Sequence, residues 1–495
     1  MNFLSTMPSI PQIRPMFNIG MMMDIPTGTY FLGKNGESIL NGGKPAIMSI
    51  AGPKNAGKTI LALAIELTVG ERIKPYQCSI YDTEVSLLYS RLNQLSGRYE
   101  RMRNIVHGDE NLIPEQVKFI ITSSAEILGD VYFKSISDLA NMKKKDKNIM
   151  LTTPLFDSKG QSIKIRVPTG SMIDSLTEFK TTNVEEKMVS KNNVGDSGNN
   201  MMWMKQGIAK KQLITQLPNM CANAGMFVTL TAHVGKEFDM DPMAPKEHRL
   251  AFQKKGSEYK GVTEAFEFIN NIVYEIFDAR ALQNKEYKTG VLYPVIDSDR
   301  DEECTDLMKL LLKVTRNKSG PTGMPVELIY SQREGLLPHL SMFHYLKESE
   351  RYGLIGNDRT YALALVPDIN LSRTTVRGII DNNFKVKRAL EILSEMLQIS
   401  LLWPDSKGKN LLVKPEDLYT NMINLGYNWD TLLNTRNYWV FNENENEELP
   451  FLSTMDILKA NAGLYVPFWL KSDYIKTATG HLKEVLDAIP TEQRK

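Results

Sequence analysis

The segment GPKNAGKT, residues 52–59, constrains this chain more than any other. It satisfies the pattern Gly-x-x-x-x-Gly-Lys-[Ser/Thr] in full. Such a loop works in one setting: an apolar strand feeds it and a helix leaves it, so that backbone N–H groups turn inward and the helix N-terminus faces the same anion. The flanks supply that setting. PAIMSIA (45–51) is an apolar run suited to a buried strand, and ILALAIELTVGERI (60–73) has helical spacing. Gly52, Pro53, Lys54, Asn55, Ala56, Gly57, Lys58, Thr59 and Ile60 are therefore the expected lining of a triphosphate site. Lys58 is placed to neutralise the β- and γ-phosphates of ATP, and the Thr59 hydroxyl to ligate Mg²⁺.

Strand and helix patterns then alternate, which implies an α/β fold with a mainly parallel sheet covered by helices. CSIYDTE (78–84) reads as a second strand, expected beside the first, and ends at Glu84. A carboxylate at that strand end can polarise an attacking water. SMIDSL (171–176) puts Asp174 at the end of a third apolar strand, the placement for an acid that holds a Mg²⁺-bound water. MFVTLTAHV (226–234) ends with Thr231 and His233, where a polar side chain can touch a γ-phosphate and couple its loss to the next loop; a purely structural histidine is the plain alternative. Further strands are expected at 271–279, 310–316 and 325–330. In KVTRNKSGPTG (313–323), Arg316 and Lys318 stand two apart, hence on one face of a strand. Two cations flanking an asparagine suit stabilisation of a phosphoryl-transfer transition state across a subunit boundary.

The chain has 495 residues, too many for one ordinary domain. Residues 1–40 read as an irregular arm, in which Met21, Met22 and Met23 suit either core filling or docking on a neighbouring subunit. Residues 41–340 form the expected core, with a less regular insertion at 98–170 that contains a hairpin near 156–167. After about 340 the texture turns to helices with scattered Trp and Tyr, a mostly helical C-terminal domain at 341–495. A net charge of +1 removes any global basic field, so nucleic-acid binding has to come from local patches. Three separated cysteines form neither a disulfide framework nor a zinc site. No run approaches the ~18 apolar residues of a membrane helix, and no signal-peptide pattern opens the chain. The expected location is intracellular and cytoplasmic, with no membrane partner.

Taken in order, the Gly52–Thr59 loop, Glu84 in DTE, Asp174 in IDSL, VGDSGNNMMWMKQ (194–206), the strand ending in His233, the Lys-rich 235–262 segment and RNK at 316–318 resemble the RecA family of recombinases. The resemblance covers about residues 40–335, and the texture is that of a divergent, bacteriophage-type member, whose setting would be the cytoplasm of an infected bacterium. It implies a RecA-like P-loop NTPase core, ATP and Mg²⁺ as cofactors, and a homo-oligomer, a helical filament on single-stranded DNA that pairs it with duplex DNA. It implies Glu84 as general base, Arg316 and Lys318 acting in trans, and Tyr89 near the adenine-stacking position. Two polar stretches match the family's DNA-binding loops, 184–204 and 236–260. Lys205 and Lys210 follow the first, and Lys254, Lys255 and Lys260 lie in the second; lysines neutralise phosphates without reading sequence. Met202 and Trp203 suit wedging or stacking against bases, or else begin a buried helix face. The chain departs from the family at His233, where glutamine is usual.

The function these features imply is a DNA-dependent ATPase that forms filaments and promotes strand exchange in recombination and repair. A hexameric replicative helicase, for which a ring replaces the filament, shares the core and the RNKSGPTG segment. Only about 40 residues precede the first core strand, too few for the primase-binding domain of such a helicase, which favours the recombinase. A non-catalytic filament or signalling ATPase would be expected to lack Lys58 or Glu84, and both are present. In the C-terminal part, LSRTTVRGIIDN (371–382) suits either a small DNA-binding helix bearing Arg373 and Arg377, capped by Ser372, or an ordinary helix.

Overall fold

A computed structural model describes residues 13–182, 198–222, 224–236, 250–286, 289–357, 359–403, 406–439 and 449–471. Strands β1 (Thr29–Leu32) and β2 (Ser38–Asn41) form a hairpin in the N-terminal arm. The central sheet contains β3 (Ile47–Gly52), β4 (Gln77–Asp82), β5 (Phe119–Ser123), β8 (Thr169–Asp174), β9 (Met226–Lys236), β10 (Ser257–Lys260), β11 (Ile272–Ala281), β14 (Leu307–Asn317), β15 (Pro325–Ser331) and β16 (Gly335–Leu336). Its order is β16-β15-β14-β11-β3-β9-β8-β4-β5, with β10 pairing β9. The six strands from β11 to β5 are mutually parallel, and β14, β15, β16 and β10 join antiparallel. The fold is thus α/β around a large, mostly parallel sheet.

Burial on both faces explains why the parallel strands read as continuous apolar runs. Every residue of β3 is buried. Met48 and Ile50 face one layer with the helix Lys58–Arg72, through Leu61, Ile65 and Val69. Ile47 and Ala51 face the other, formed by helices Gly129–Lys145 and Gly198–Cys221 through Tyr132, Phe133, Ile136, Ile214 and Leu217. The segment expected as an insertion is therefore partly built into the sheet: β5 is an edge strand and Gly129–Lys145 covers one face. The expected hairpin is β6 (Met150–Phe156) with β7 (Ser162–Arg166). A short pair, β12 (Gln283–Asn284) and β13 (Thr289–Val291), lies between β11 and β14.

The methionine cluster is core. Met21, Met22 and Met23 are buried, and the Met22 carbonyl accepts from Gln398 Nε2 at 2.9 Å, so this part of the arm packs on its own chain. Residues beyond 340 carry helices at Pro338–Glu348, Val376–Asn382, Phe384–Leu402, Pro415–Asn424, Trp429–Leu433 and Thr454–Asn461. They also hold a three-stranded sheet, β17 (Leu354–Gly356), β18 (Thr360–Leu363) and β19 (Val366–Ser372). Phe343, Leu390, Leu393 and Trp469 share one continuous apolar core with the helix Lys58–Arg72. Arg377 is buried, with Nη2 donating to Glu334 at 2.6 Å and Asp306 and Asp299 close by, as in the ordinary-helix alternative and not as an exposed DNA contact. Ser372 ends β19 and does not cap the helix, whose N-cap is Thr375.

Three buried carboxyls lie where the arm meets the C-terminal helices. Burial pushes Asp24 up to about 6, Glu395 up to about 7 and Asp456 up to about 6. Asp24 accepts the amides of Ile19 and Gly20 at 2.8 Å, Glu395 accepts Asn437 Nδ2 at 2.8 Å, and Asp456 accepts the Ser38 amide at 2.7 Å. A raised carboxyl keeps in the folded state a proton that the unfolded chain releases near pH 4. The stability this contributes is complete below about pH 4 and is lost as pH rises through 6 to 7. Glu395→Gln, which cannot ionise, is expected to flatten the loss of unfolding free energy between pH 5 and 8 by on the order of 2 kcal/mol. An unchanged pH slope in denaturant titrations would contradict it.

Candidate active site

The loop after β3 turns through two left-handed residues, Asn55 (φ 56) and Gly57 (φ 80), before the helix Lys58–Arg72 begins. A Cβ at Gly57 would come within 3.2 Å of the Tyr330 ring, and one at Gly52 within 2.9 Å of the Ile276 Cβ, so both positions need glycine. Pro53, Lys54 and Asn55 are exposed at the rim, while Ala56 and Lys58 are buried. Lys58 folds back across the loop and donates to the Pro53 carbonyl at 2.7 Å. Burial lowers its pKa, partly offset by the negative charges of Asp174 and Glu84.

Thr59 Oγ1 donates to Asp174 Oδ2 at 2.5 Å, and Thr231 Oγ1 donates to Asp174 Oδ1. Burial raises the Asp174 pKa, the two hydroxyls work against it, and Glu84 and Asp82 add to the rise. A charge close to this carboxylate would relieve that cost. The donor set is hard oxygen, one hydroxyl and one carboxylate, which fits Mg²⁺ completed by phosphate oxygens and water. Among the described residues no group of three or more His, Cys, Asp or Glu could hold a metal by itself, so a cation bound only by protein is not what the site offers.

Glu84 reaches this point by a route the strand pattern did not give. β4 is not the neighbour of β3; β9 and β8 lie between them. The carboxylate of Asp82, last in β4, accepts the amides of Glu84 (3.0 Å), Ser86 (2.6 Å) and Leu87 (2.7 Å), which curls the loop back over the sheet. Thr83 fastens it, its amide donating to Asp174 O at 2.8 Å and its hydroxyl to Ser175 O at 2.9 Å. Val85 is held at φ 53, an uncommon conformation for a β-branched residue. Glu84 Oε1 ends 3.0 Å from His233 Nε2. In the sheet His233 sits directly beside Gly52, and its amide donates to Thr177 Oγ1 at 3.0 Å. Lys58, Thr59, Asp174, Thr231, Glu84 and His233 thus converge at the carboxyl ends of parallel strands.

Other expected residues fall elsewhere. Arg316 pairs with Val273, which is level with Ser49, roughly 10 Å along the strand from Gly52. β14 runs antiparallel and carries Arg316 away from the glycine loop, so it does not serve its own chain's loop. Arg316 donates to Asn270 O and Phe268 O at 3.2 Å, and Lys318 Nζ to Ile269 O at 3.4 Å. Lys318 follows β14 and does not share its face. The Tyr89 hydroxyl accepts the Ile121 amide at 2.9 Å and its ring lies against Gly108, so it is committed to the edge of the sheet at β5. The Tyr330 ring lies beside the glycine loop, against Gly57.

Of the lysines, Lys205, Lys254 and Lys255 are exposed. Lys210 is not free: buried on the inner face of its helix, Nζ donates to Thr177 O (2.8 Å), Gly261 O (3.0 Å) and Leu176 O (3.3 Å), and burial lowers its pKa to about 8. That corrects its reading as a DNA contact. Lys260 lies on β10 and pairs with Glu258. Met202 and Trp203 belong to the helix Gly198–Cys221, but their side chains lie outside the described residues, as do most of the two polar stretches. No helix among the described residues is long and apolar enough to cross a membrane. No protein-family model matches the chain, and no curated protein matches it either.

Proposed function

We propose that this protein is a Mg²⁺-dependent ATPase with a RecA-like core that assembles as a homo-oligomer on single-stranded DNA and exchanges strands with duplex DNA. The observation that carries the reading is the convergence of Lys58, Thr59, Asp174, Glu84 and His233 from four separate parallel-strand ends onto one glycine loop. When bound, the metal supplies charge neutralisation at the phosphates. Thr59 and Asp174 hold it, Lys58 meets the terminal phosphates, Glu84 orients water and takes its proton, and His233 stands where loss of the γ-phosphate is felt. The placement of Arg316 at the strand ends opposite the glycine loop supports an oligomer, because a cation there is turned away from its own chain's nucleotide and is available to a neighbouring subunit's.

Electron microscopy with single-stranded DNA and a slowly hydrolysed ATP analogue tests the assembly. A continuous helix, together with strand exchange in a biochemical assay, is the expected result. Closed rings that unwind forked duplex would favour the helicase, and DNA-independent turnover by a monomer would sink both. Arg316→Ala is expected to bind nucleotide normally yet lose DNA-stimulated hydrolysis by roughly 10³-fold, the usual worth of such a cation in trans. Unaltered stimulated turnover would remove Arg316 from the site.

A further inference from the structure

We propose that Phe252 and Tyr259 are positioning residues that tie the Lys254–Lys255 segment to the tip of β14, so that binding of a polyanionic strand by those lysines sets the aim of Arg316. The inference rests on the function proposed above and adds the link between its two ends. It starts from an irregularity in the β11–β14 ladder. Val273 pairs with Arg316 and Tyr274 with Val314, which leaves Thr315 as an extra, unpaired residue immediately before Arg316. A bulge of this sort bends a strand and re-aims the side chain beside it.

Two side chains hold that bulge from the lysine segment, one on each side. The Tyr259 hydroxyl lies 3.2 Å from Thr315 Oγ1 and 3.1 Å from Glu275 Oε2, and all three groups are buried. Glu275 lies in β11, level with Ala51 of β3, so the same hydroxyl is fastened to the strand that pairs with the one feeding the glycine loop. The other grip is Phe252. A Cβ on Gly323 would lie 2.6 Å from its ring, so the ring rests flush on the backbone of the loop that follows Lys318. That loop is closed by the Gly323 amide donating to Val314 O at 2.7 Å and the Val314 amide to Met324 O at 3.1 Å. Between the grips, Lys254 and Lys255 stand exposed, with the Ser257 hydroxyl turned onto Lys254 O at 2.6 Å. A displacement of the two lysines therefore pulls on both flanks of Arg316.

The full chain is assayed for ATP turnover with and without oligothymidine, reading kcat and KM for ATP separately. Tyr259→Phe keeps the buried ring and removes only the hydroxyl; Phe252→Ala removes the second grip, and Phe252→Tyr should restore it. Both disruptive variants are expected to keep DNA-free turnover, KM for ATP and retention on DNA within about twofold, and to lose DNA-stimulated kcat by about 10-fold or more, as a misaimed catalytic group does. Full stimulation in both variants, with the unaltered protein stimulated, overturns this inference and leaves the proposed function standing. Absence of stimulation in the unaltered protein overturns both. Loss of DNA-free turnover in both variants, not restored by Phe252→Tyr, marks a merely structural role and overturns the inference alone.

Discussion

Lys58→Ala is expected to lower ATP turnover by roughly 10³-fold or more while leaving the fold intact. The two halves of that result have separate causes. Lys58 is the buried cation at the start of the helix Lys58–Arg72, and it donates to the Pro53 carbonyl across the loop where a phosphate would lie. Burial disfavours its charge, so in the empty loop the ammonium is a cost that a triphosphate would relieve. Removing it relieves that cost and leaves Pro53 O near an exposed rim, so unfolding free energy should change by less than about 1 kcal/mol. Lys58→Arg should not rescue turnover, because a broad planar guanidinium cannot take the place of a compact ammonium in that loop. Phosphate release and thermal melting on the same samples check both halves. Turnover that survives in Lys58→Ala would show that the glycine loop is not where ATP is cut.

What the sequence made legible, and what it hid, divides along one physical line. Strands buried on both faces must be apolar throughout, so PAIMSIA, TGSMID and MFVTLTAHV announced themselves locally, as did the glycine loop, whose backbone needs fix residue types at fixed spacing. Lateral order is another matter. Nothing local says that β9, far along the chain, inserts between β3 and β8, so Glu84 was expected beside the loop strand when it lies three strands over and returns on a curled loop. Asp82 makes that curl, and its signal was present as an acid two residues before Glu84, able to cap following amides. The Tyr89 and Tyr330 exchange has the same origin, since the ring against Gly57 comes from residues more than half the chain away. Lys210 is the case where the pattern was readable: it falls four residues after buried Gln206 and four before buried Ile214, on the inner stripe of its helix. Arg377 likewise falls on the inner stripe with Ile380, and only its distant partners Glu334, Asp306 and Asp299 make its burial tolerable.

The largest loss of stability is expected from breaking the pair Lys44–Glu66. Lys44 lies three residues before the loop strand begins, Glu66 lies in the helix after the loop, and both side chains are wholly buried. One Glu66 oxygen accepts from Lys44 Nζ and the other from the Tyr76 hydroxyl, which itself lies 3.3 Å from Lys44 Nζ. The Lys44 backbone also exchanges hydrogen bonds with Phe17 at 2.8 and 2.9 Å, so the arm hangs from the same residue. Burial and the Glu66 charge hold the Tyr76 phenol neutral, well above its usual range. Deleting one member leaves the other charge buried with the neutral Tyr76 hydroxyl in place of its counter-ion, so Glu66→Leu or Lys44→Met alone should cost about 3–5 kcal/mol. Deleting both, as Lys44→Met with Glu66→Leu, removes the stranded charge and should recover most of that loss, leaving only the Tyr76 hydroxyl unpaired. Denaturant titration of the two single variants and the double variant measures the coupling. Additive losses would mean the two charges are independently solvated, and the helix would then be held at its pitch over the glycine loop by apolar packing alone. Recovery in the double variant, accompanied by weakened nucleotide binding, would show instead that this buried pair fixes the angle at which the helix N-terminus meets the phosphates.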